Sequence, residues 1–202
     1  MGSLTPDLSR VELHMPPDRR LDDDLFFAIC QANRDYRIER DATGDIQIMP
    51  PTGGETGKKN SDLIIDLGTW ARKDGRGLVF DSSTGFRLPN GSTRSPDVSW
   101  VLRERLARLT TEEKRRFLPL SPDLAIELAS PTDQVDGLQA KMREYQENGV
   151  RLGWLILPNQ RRVYVYRHGT TPQRLDNPDH LTDDPLLPGL SLDLTPIWKP
   201  GF

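Results

Sequence analysis

Short segments with a two-residue apolar period alternate with segments of helical period along most of this chain, and that alternation admits few architectures. Helical spacing runs through 21–33 (Leu25, Phe26, Ile29, Cys30), 55–73 (Leu63, Ile64, Leu67, Trp70) and 134–148 (Val135, Leu138, Met142, Tyr145). Three aspartates open the first of these, Asp74-Gly75 ends the second and Gly149 closes the third. Strand-like segments lie at 36–40 and 45–49, where Asp41-Ala42-Thr43-Gly44 predicts a β-hairpin, and again at 78–81, 85–88, 97–102, 123–129, 152–157 and 163–166. Residues 103–116, with six basic and three acidic side chains, read as short helices inserted between strands. The tail from Gly169 holds six prolines and reads mostly as loop. Without an internal repeat or an evident linker, the expectation is a loose extension over residues 1–20, then one α/β or α+β domain over residues 21–202. That domain has a central mixed β-sheet flanked by helices, with an N-terminal helix and β-hairpin.

Composition narrows the function classes. At 202 residues the chain can bury a full core without a covalent staple. Its one cysteine, Cys30, excludes an intrachain disulfide and a multi-cysteine zinc site, and His14, His168 and His180 match no zinc-protease spacing. No apolar run approaches the roughly 20 residues that span a bilayer, and the first residues lack the apolar core of a signal peptide, so the expectation is a cytoplasmic protein without a membrane partner. With 27 basic and 30 acidic side chains, net −3, the molecule lacks the overall basic field of a protein that coats nucleic acid. Any polyanion must be held locally.

Three carboxylates, Asp97, Asp123 and Glu127, stand inside two apolar strands. Asp97 and Ser99 share one strand face opposite Val98 and Trp100; Asp123 and Glu127 share a face with Ala125 and Ala129, opposite Leu124, Ile126 and Leu128. Antiparallel pairing of the two strands brings Asp97, at the start of one, beside Glu127, near the end of the other. Two carboxylates that close repel each other unless a hard divalent cation such as Mg²⁺ sits between them. The alternative is that both face water on the open side of a sheet. In the helix that follows, Lys141 falls at the edge of the apolar stripe, roughly 40° from Tyr145 on a helical wheel. It either snorkels to solvent or reaches over the sheet toward the paired acids, where a cation would help phosphodiester hydrolysis by orienting the attacking water and offsetting phosphoryl charge. Glu55 opens a helix after a Gly-Gly pair, as a further ligand or simply as a favourable helix-dipole partner.

Ser95-Pro96-Asp97, then Pro122-Asp123-Leu124-Ala125-Ile126-Glu127-Leu128-Ala129-Ser130-Pro131-Thr132-Asp133, Lys141-Met142-Arg143-Glu144-Tyr145, Gly149-Val150 and Trp154-Leu155-Ile156-Leu157-Pro158 resemble, in order, the Uma family of restriction-endonuclease-like proteins, within the PD-(D/E)XK nuclease superfamily. Met49-Pro50-Pro51-Thr52-Gly53-Gly54-Glu55, Thr84-Gly85-Phe86-Arg87-Leu88 and Leu187-Pro188-Gly189-Leu190-Ser191-Leu192 extend the likeness over about residues 20–195. The resemblance implies a restriction-endonuclease-like core with Asp97 and Glu127 as the two motif acids and Glu55 as a helix glutamate completing a site for Mg²⁺, with Mn²⁺ as the substitute. The superfamily lysine two positions after the second acid is replaced here by Ala129, and the resemblance implies that a lysine of the next helix, matched by Lys141, takes its role. Thr56 stands where relatives carry histidine. The implied activity is Mg²⁺-dependent endonucleolytic cleavage of DNA, by a homodimer as in related restriction-type enzymes, with residues 103–116 as a place to seek DNA contacts or else a solvated, salt-bridged insert. The absence of a DNA-recognition element keeps open a catalytically silent nucleic-acid-binding or interaction module, and the same site would serve a nucleotide phosphoesterase.

Overall fold

The computed structural model describes residues 11–16 and 18–201. In chain order it runs β1 (Val11–Leu13), α1 (Asp23–Ala32), β2 (Arg37–Arg40), β3 (Ile46–Met49), α2 (Gly54–Asp74), β4 (Gly77–Asp81), β5 (Phe86–Arg87), β6 (Thr93–Arg94) and β7 (Val98–Leu102). It continues with α3 (Arg103–Leu106), α4 (Thr111–Lys114), β8 (Leu124–Leu128), α5 (Val135–Glu147), β9 (Leu152–Leu157), β10 (Arg162–Arg167), β11 (Gln173–Asp176), β12 (His180–Asp183), β13 (Leu187–Asp193) and α6 (Thr195–Trp198).

The larger sheet has the order β11-β10-β9-β8-β7-β4. Its neighbours are antiparallel except β8 and β9, which run parallel because α5 carries the chain back between them. This is the mixed sheet the alternation predicts. The two-residue period sorts its side chains: Val98, Trp100, Leu124, Ile126, Leu128, Trp154 and Ile156 pack with Leu63, Leu67 and Ala71 of α2, whereas Val101, Ala125, Leu155 and Leu157 pack with Met142 and Tyr145 of α5. The side chain that Gly153 lacks would stand 2.5 Å from Met142 Cε, so this glycine lets α5 lie close on β9.

A second sheet, β1-β3-β2-β6-β5, contains the expected hairpin, and β1 adds to its outer edge through Val11↔Ile48 and Leu13↔Ile46. Its strand β6 leads through Ser95-Pro96-Asp97 directly into β7 of the larger sheet. Asp97 therefore sits at the joint between the two sheets.

The tail departs from the expectation of loop. It forms β11, the hairpin β12–β13 and α6, burying Leu181, Leu187, Leu190, Leu192 and Ile197 against the α2 face of the larger sheet. Its prolines lie where they cost no ladder: Pro172, Pro178 and Pro185 fall between elements, Pro188 is in a two-stranded ribbon with its carbonyl accepting from Trp70 Nε1 at 3.1 Å, and Pro196 is in the first turn of α6. Among the described residues no helix is long and apolar enough to cross a membrane.

Candidate active site

The β7–β8 register pairs Val98 with Ile126 and Ser99 with Ala125. One step further sets Asp97 opposite Glu127, a placement in which Cα atoms stand about 5 Å apart. Both acids are buried and on the α5 side of the sheet. Asp97 Oδ2 accepts the backbone N–H of Leu128 at 2.8 Å, and its Oδ1 accepts Arg37 Nη1 at 2.8 Å. Glu127 Oε1 accepts the phenol of Tyr145 at 2.9 Å and lies 2.8 Å from Lys141 Nζ. Its Oε2 takes no hydrogen bond from the described residues.

Lys141 thus turns inward, and it does so to two acids at once. Its ammonium also donates to Glu39 Oε1 at 2.9 Å. Glu39, from the hairpin strand β2, is 1% exposed and is fixed further by Ser95 N–H at 3.0 Å and Arg94 Nη1 at 3.2 Å. Arg94 in turn donates to Glu144 of α5 at 2.7 Å. Hairpin, sheet joint and helix α5 are laced together by this network.

Burial works against every charge here, and neighbouring charges decide the outcome. Burial pushes the Glu39 carboxyl up, but Lys141, Arg94 and Arg37 outweigh it and bring the pKa down to about 2. Burial pushes Glu127 the same way; Lys141 opposes it, yet Asp97 and Glu39 add to it, and the pKa rises to about 7. One ammonium serves two carboxylates, and Glu127 is the one left short of positive charge. For Lys141, burial favours the neutral amine, but Glu127 and Glu39 overcome it and raise the pKa. Tyr145 is raised well above the ordinary phenol by burial and by the acids beside it, so it remains a donor.

Arg37, Glu39, Arg94, Asp97, Glu127 and Lys141 line one cavity of about 1060 Å³, together with Glu55, Thr56 and the loop 130–134. Glu55 is on that wall but is half exposed, and its carboxylate accepts Lys59 Nζ at 2.6 Å. Lys58 is tied to Asp62 at 2.6 Å. No residue of 103–116 lines the cavity: Arg105 pairs with the buried Asp123 at 3.0 Å, and Arg116 pairs with Asp24 at 2.6 Å while its guanidinium lies over Phe27.

Among the described residues no group of three or more His, Cys, Asp or Glu side chains is gathered closely enough to hold a metal ion alone. Asp97 and Glu127 nevertheless suit a hard divalent cation by donor chemistry. They are carboxylate oxygens, Mg²⁺ needs only one or two of them beside water and phosphate, and Glu127 has an oxygen without a partner among the described residues and a charge that the shared Lys141 ammonium does not fully offset. Sequence reasoning missed Arg37, Glu39 and Arg94. Arg37 and Glu39 flank Ile38 with the same alternation that singled out Asp97 and Ser99, and that was the available signal.

Comparison with known proteins agrees with this architecture. A crystal structure described as "a putative nuclease belonging to DUF820" from Anabaena variabilis superposes with a TM-score of 0.67 at 20% identity, covering 80% of this chain and 89% of that one. The likeness at that identity is one of fold. No curated protein matches the chain. The Uma2 family model, described as "Putative restriction endonuclease", matches residues 23–195, a span that holds the larger sheet, the second sheet apart from β1, all four expected site residues and the Glu39–Lys141 network. The chain belongs to the Uma2 family, and its fold is that of the restriction-endonuclease-like proteins.

Proposed function

We propose that this protein is a divalent-metal-dependent endonuclease that hydrolyses DNA phosphodiester bonds, with Mg²⁺ or Mn²⁺ held by Asp97 and Glu127 and with Glu55 contributing from the cavity wall. The observation that carries the reading is the inward Lys141, 2.8 Å from a Glu127 that lies opposite Asp97. When bound, the ion would lower the pKa of the attacking water and stabilise charge on the phosphoryl oxygens. Lys141, held protonated by two acids, is a donor and not a general base: it orients the water and offsets negative charge. A bound ion would favour the ionised form of Glu127, whose pKa burial and the neighbouring acids raise, whereas Lys141, Arg94 and Arg37 already hold Glu39 ionised. Tyr145 fixes the Glu127 carboxylate in one orientation.

The test is nicking of supercoiled plasmid in Mg²⁺, with EDTA as control, by the wild type and by D97N, E127Q and K141M. Loss of cleavage in all three variants, with unchanged circular dichroism, supports the assignment; cutting by D97N or E127Q at the wild-type rate ends it. Mononucleotide and dinucleotide esters run beside the plasmid separate a nucleotide phosphoesterase from a DNA endonuclease.

One observation favours a silent binding module instead: both Asp97 oxygens already have protein partners. Calorimetry with Mn²⁺ decides between the two. Heat of uptake that vanishes in D97N supports the enzyme, and salt-sensitive DNA binding without ion uptake supports the module.

A further inference from the structure

Among the described residues the cavity is lined by eight carboxylates and three basic side chains, Arg37, Arg94 and Lys141. A phosphodiester entering it needs a cation that is not already committed. Arg94 is not free to serve: its side chain is 8% exposed and is shared between Glu144 and Glu39. Lys141 is 11% exposed and bridges Glu39 and Glu127. Arg37 is different. Its side chain is 30% exposed and among the described residues it has one carboxylate partner, Asp97; its other hydrogen bonds there run from Nε and Nη2 to the sulfur of Met49 at 3.4 and 3.3 Å, and a thioether is a weak acceptor.

We propose that Arg37 is the substrate-phosphate ligand of this site and that Asp97 holds it back until a divalent ion takes its place. The inference rests on the metal-dependent reading above. Asp97 Oδ2 is fixed on the Leu128 N–H, so Oδ1, the oxygen that Arg37 occupies, is the one an ion would claim. Two cations on one oxygen repel, and the guanidinium is displaced toward the cavity that it already lines. Its planar fork matches two phosphate oxygens at once, which a lysine at that position would not. The resting ion pair therefore keeps the phosphate subsite closed in the absence of metal and opens it when metal binds. DNA affinity and ion occupancy are coupled through one side chain.

The test uses the full chain as wild type, R37M, R37K and D97N. Mn²⁺ is titrated calorimetrically, and a short fluorescent DNA duplex is followed by anisotropy in Ca²⁺ and in EDTA, with gels verifying that the duplex stays intact. R37M is expected to bind Mn²⁺ several-fold tighter, because its competitor is gone, and to lose about tenfold in duplex affinity in Ca²⁺ while matching the wild type in EDTA. R37K keeps the charge without the fork, so its Mn²⁺ affinity stays at the wild-type level and its duplex affinity in Ca²⁺ falls between the other two; it serves as well if R37M folds poorly. Unchanged constants in R37M, or an equal loss of duplex binding in Ca²⁺ and EDTA, overturns the inference while D97N-sensitive Mn²⁺ uptake leaves the metal site standing. Absence of Mn²⁺ uptake by the wild type, or uptake indifferent to D97N, overturns both.

Discussion

Asp97 accepts the backbone N–H of Leu128 at 2.8 Å across the β7–β8 pair, so the first site acid also pins the strand that carries the second. An alanine there strands a buried N–H and leaves Arg37 without its carboxylate. D97A is expected to lose about 2–3 kcal/mol in urea unfolding, and D97N, which retains an acceptor, about 1 kcal/mol. Equal losses would show that the hydrogen bond contributes nothing to the fold. Both variants should lose Mn²⁺ uptake, so their difference isolates the structural part of the residue.

The two buried glutamates give stability opposite dependences on pH. Glu39 has its pKa lowered from 4.5 to about 2, so its contribution is full above 4.5 and is lost as pH falls through 2. Glu127 has its pKa raised from 4.5 to about 7, so the folded state binds a proton that the unfolded state has released; stability is full below 4.5 and falls as pH rises through 7. In EDTA the unfolding free energy should decline between pH 4.5 and 7, and E127Q should flatten that decline. A wild-type curve that rises over this range would contradict the charge shortage at Glu127. Added Mn²⁺ should raise the melting temperature more at pH 8 than at pH 5, because the ion competes with that proton.

How much of this was legible in the sequence depends on whether a side chain's partners lie near it in the chain. Asp97 and Glu127 interrupt strands whose other faces are wholly apolar, and strand period alone fixes which side they share. Lys141 was placed by the helical wheel on the edge of the α5 stripe, but the wheel left its direction open; the second carboxylate that turns it inward, Glu39, comes from a hairpin 102 residues away. Glu39 itself reads as the solvent face of that hairpin. Only the joining of the two sheets at Asp97 buries it, and no local pattern announces that joint. The tail misleads for the opposite reason: its prolines suggest loop, whereas Leu181, Leu187, Leu190 and Leu192 form the buried side of a ribbon.

Lys141 should be costly to neutralise in a pH-dependent way. K141M leaves the carboxylates of Glu39 and Glu127 facing each other without the shared ammonium. About 3 kcal/mol should be lost at pH 8, and less at pH 5, where Glu127 takes up a proton and relieves the repulsion. Urea unfolding at the two pH values measures this, and a loss independent of pH would mean that packing and not charge is what Lys141 supplies. Cleavage should fall by at least about 100-fold, since among the described residues the Tyr145 phenol is the one other donor to Glu127.

Gly153 should control activity without touching the site. Its backbone lies under Met142, and a Cβ would come within 2.5 Å of Met142 Cε and 3.3 Å of Tyr166 Cβ. Alanine can be accommodated by swinging the Met142 methyl, which is the far end of a flexible side chain, at about 1 kcal/mol. Valine adds two branches that the closely packed α5–β9 contact cannot absorb, and α5 must lift, taking Lys141 with it because that residue immediately precedes Met142. G153V is expected to lose about 2–3 kcal/mol in unfolding and to lower the cleavage rate at saturating DNA while leaving duplex affinity in Ca²⁺ near the wild type. If G153V is destabilised but cleaves at the wild-type rate, the seating of α5 on β9 is not what holds the ammonium against Glu127, and the network through Glu39 and Arg94 alone must be sufficient.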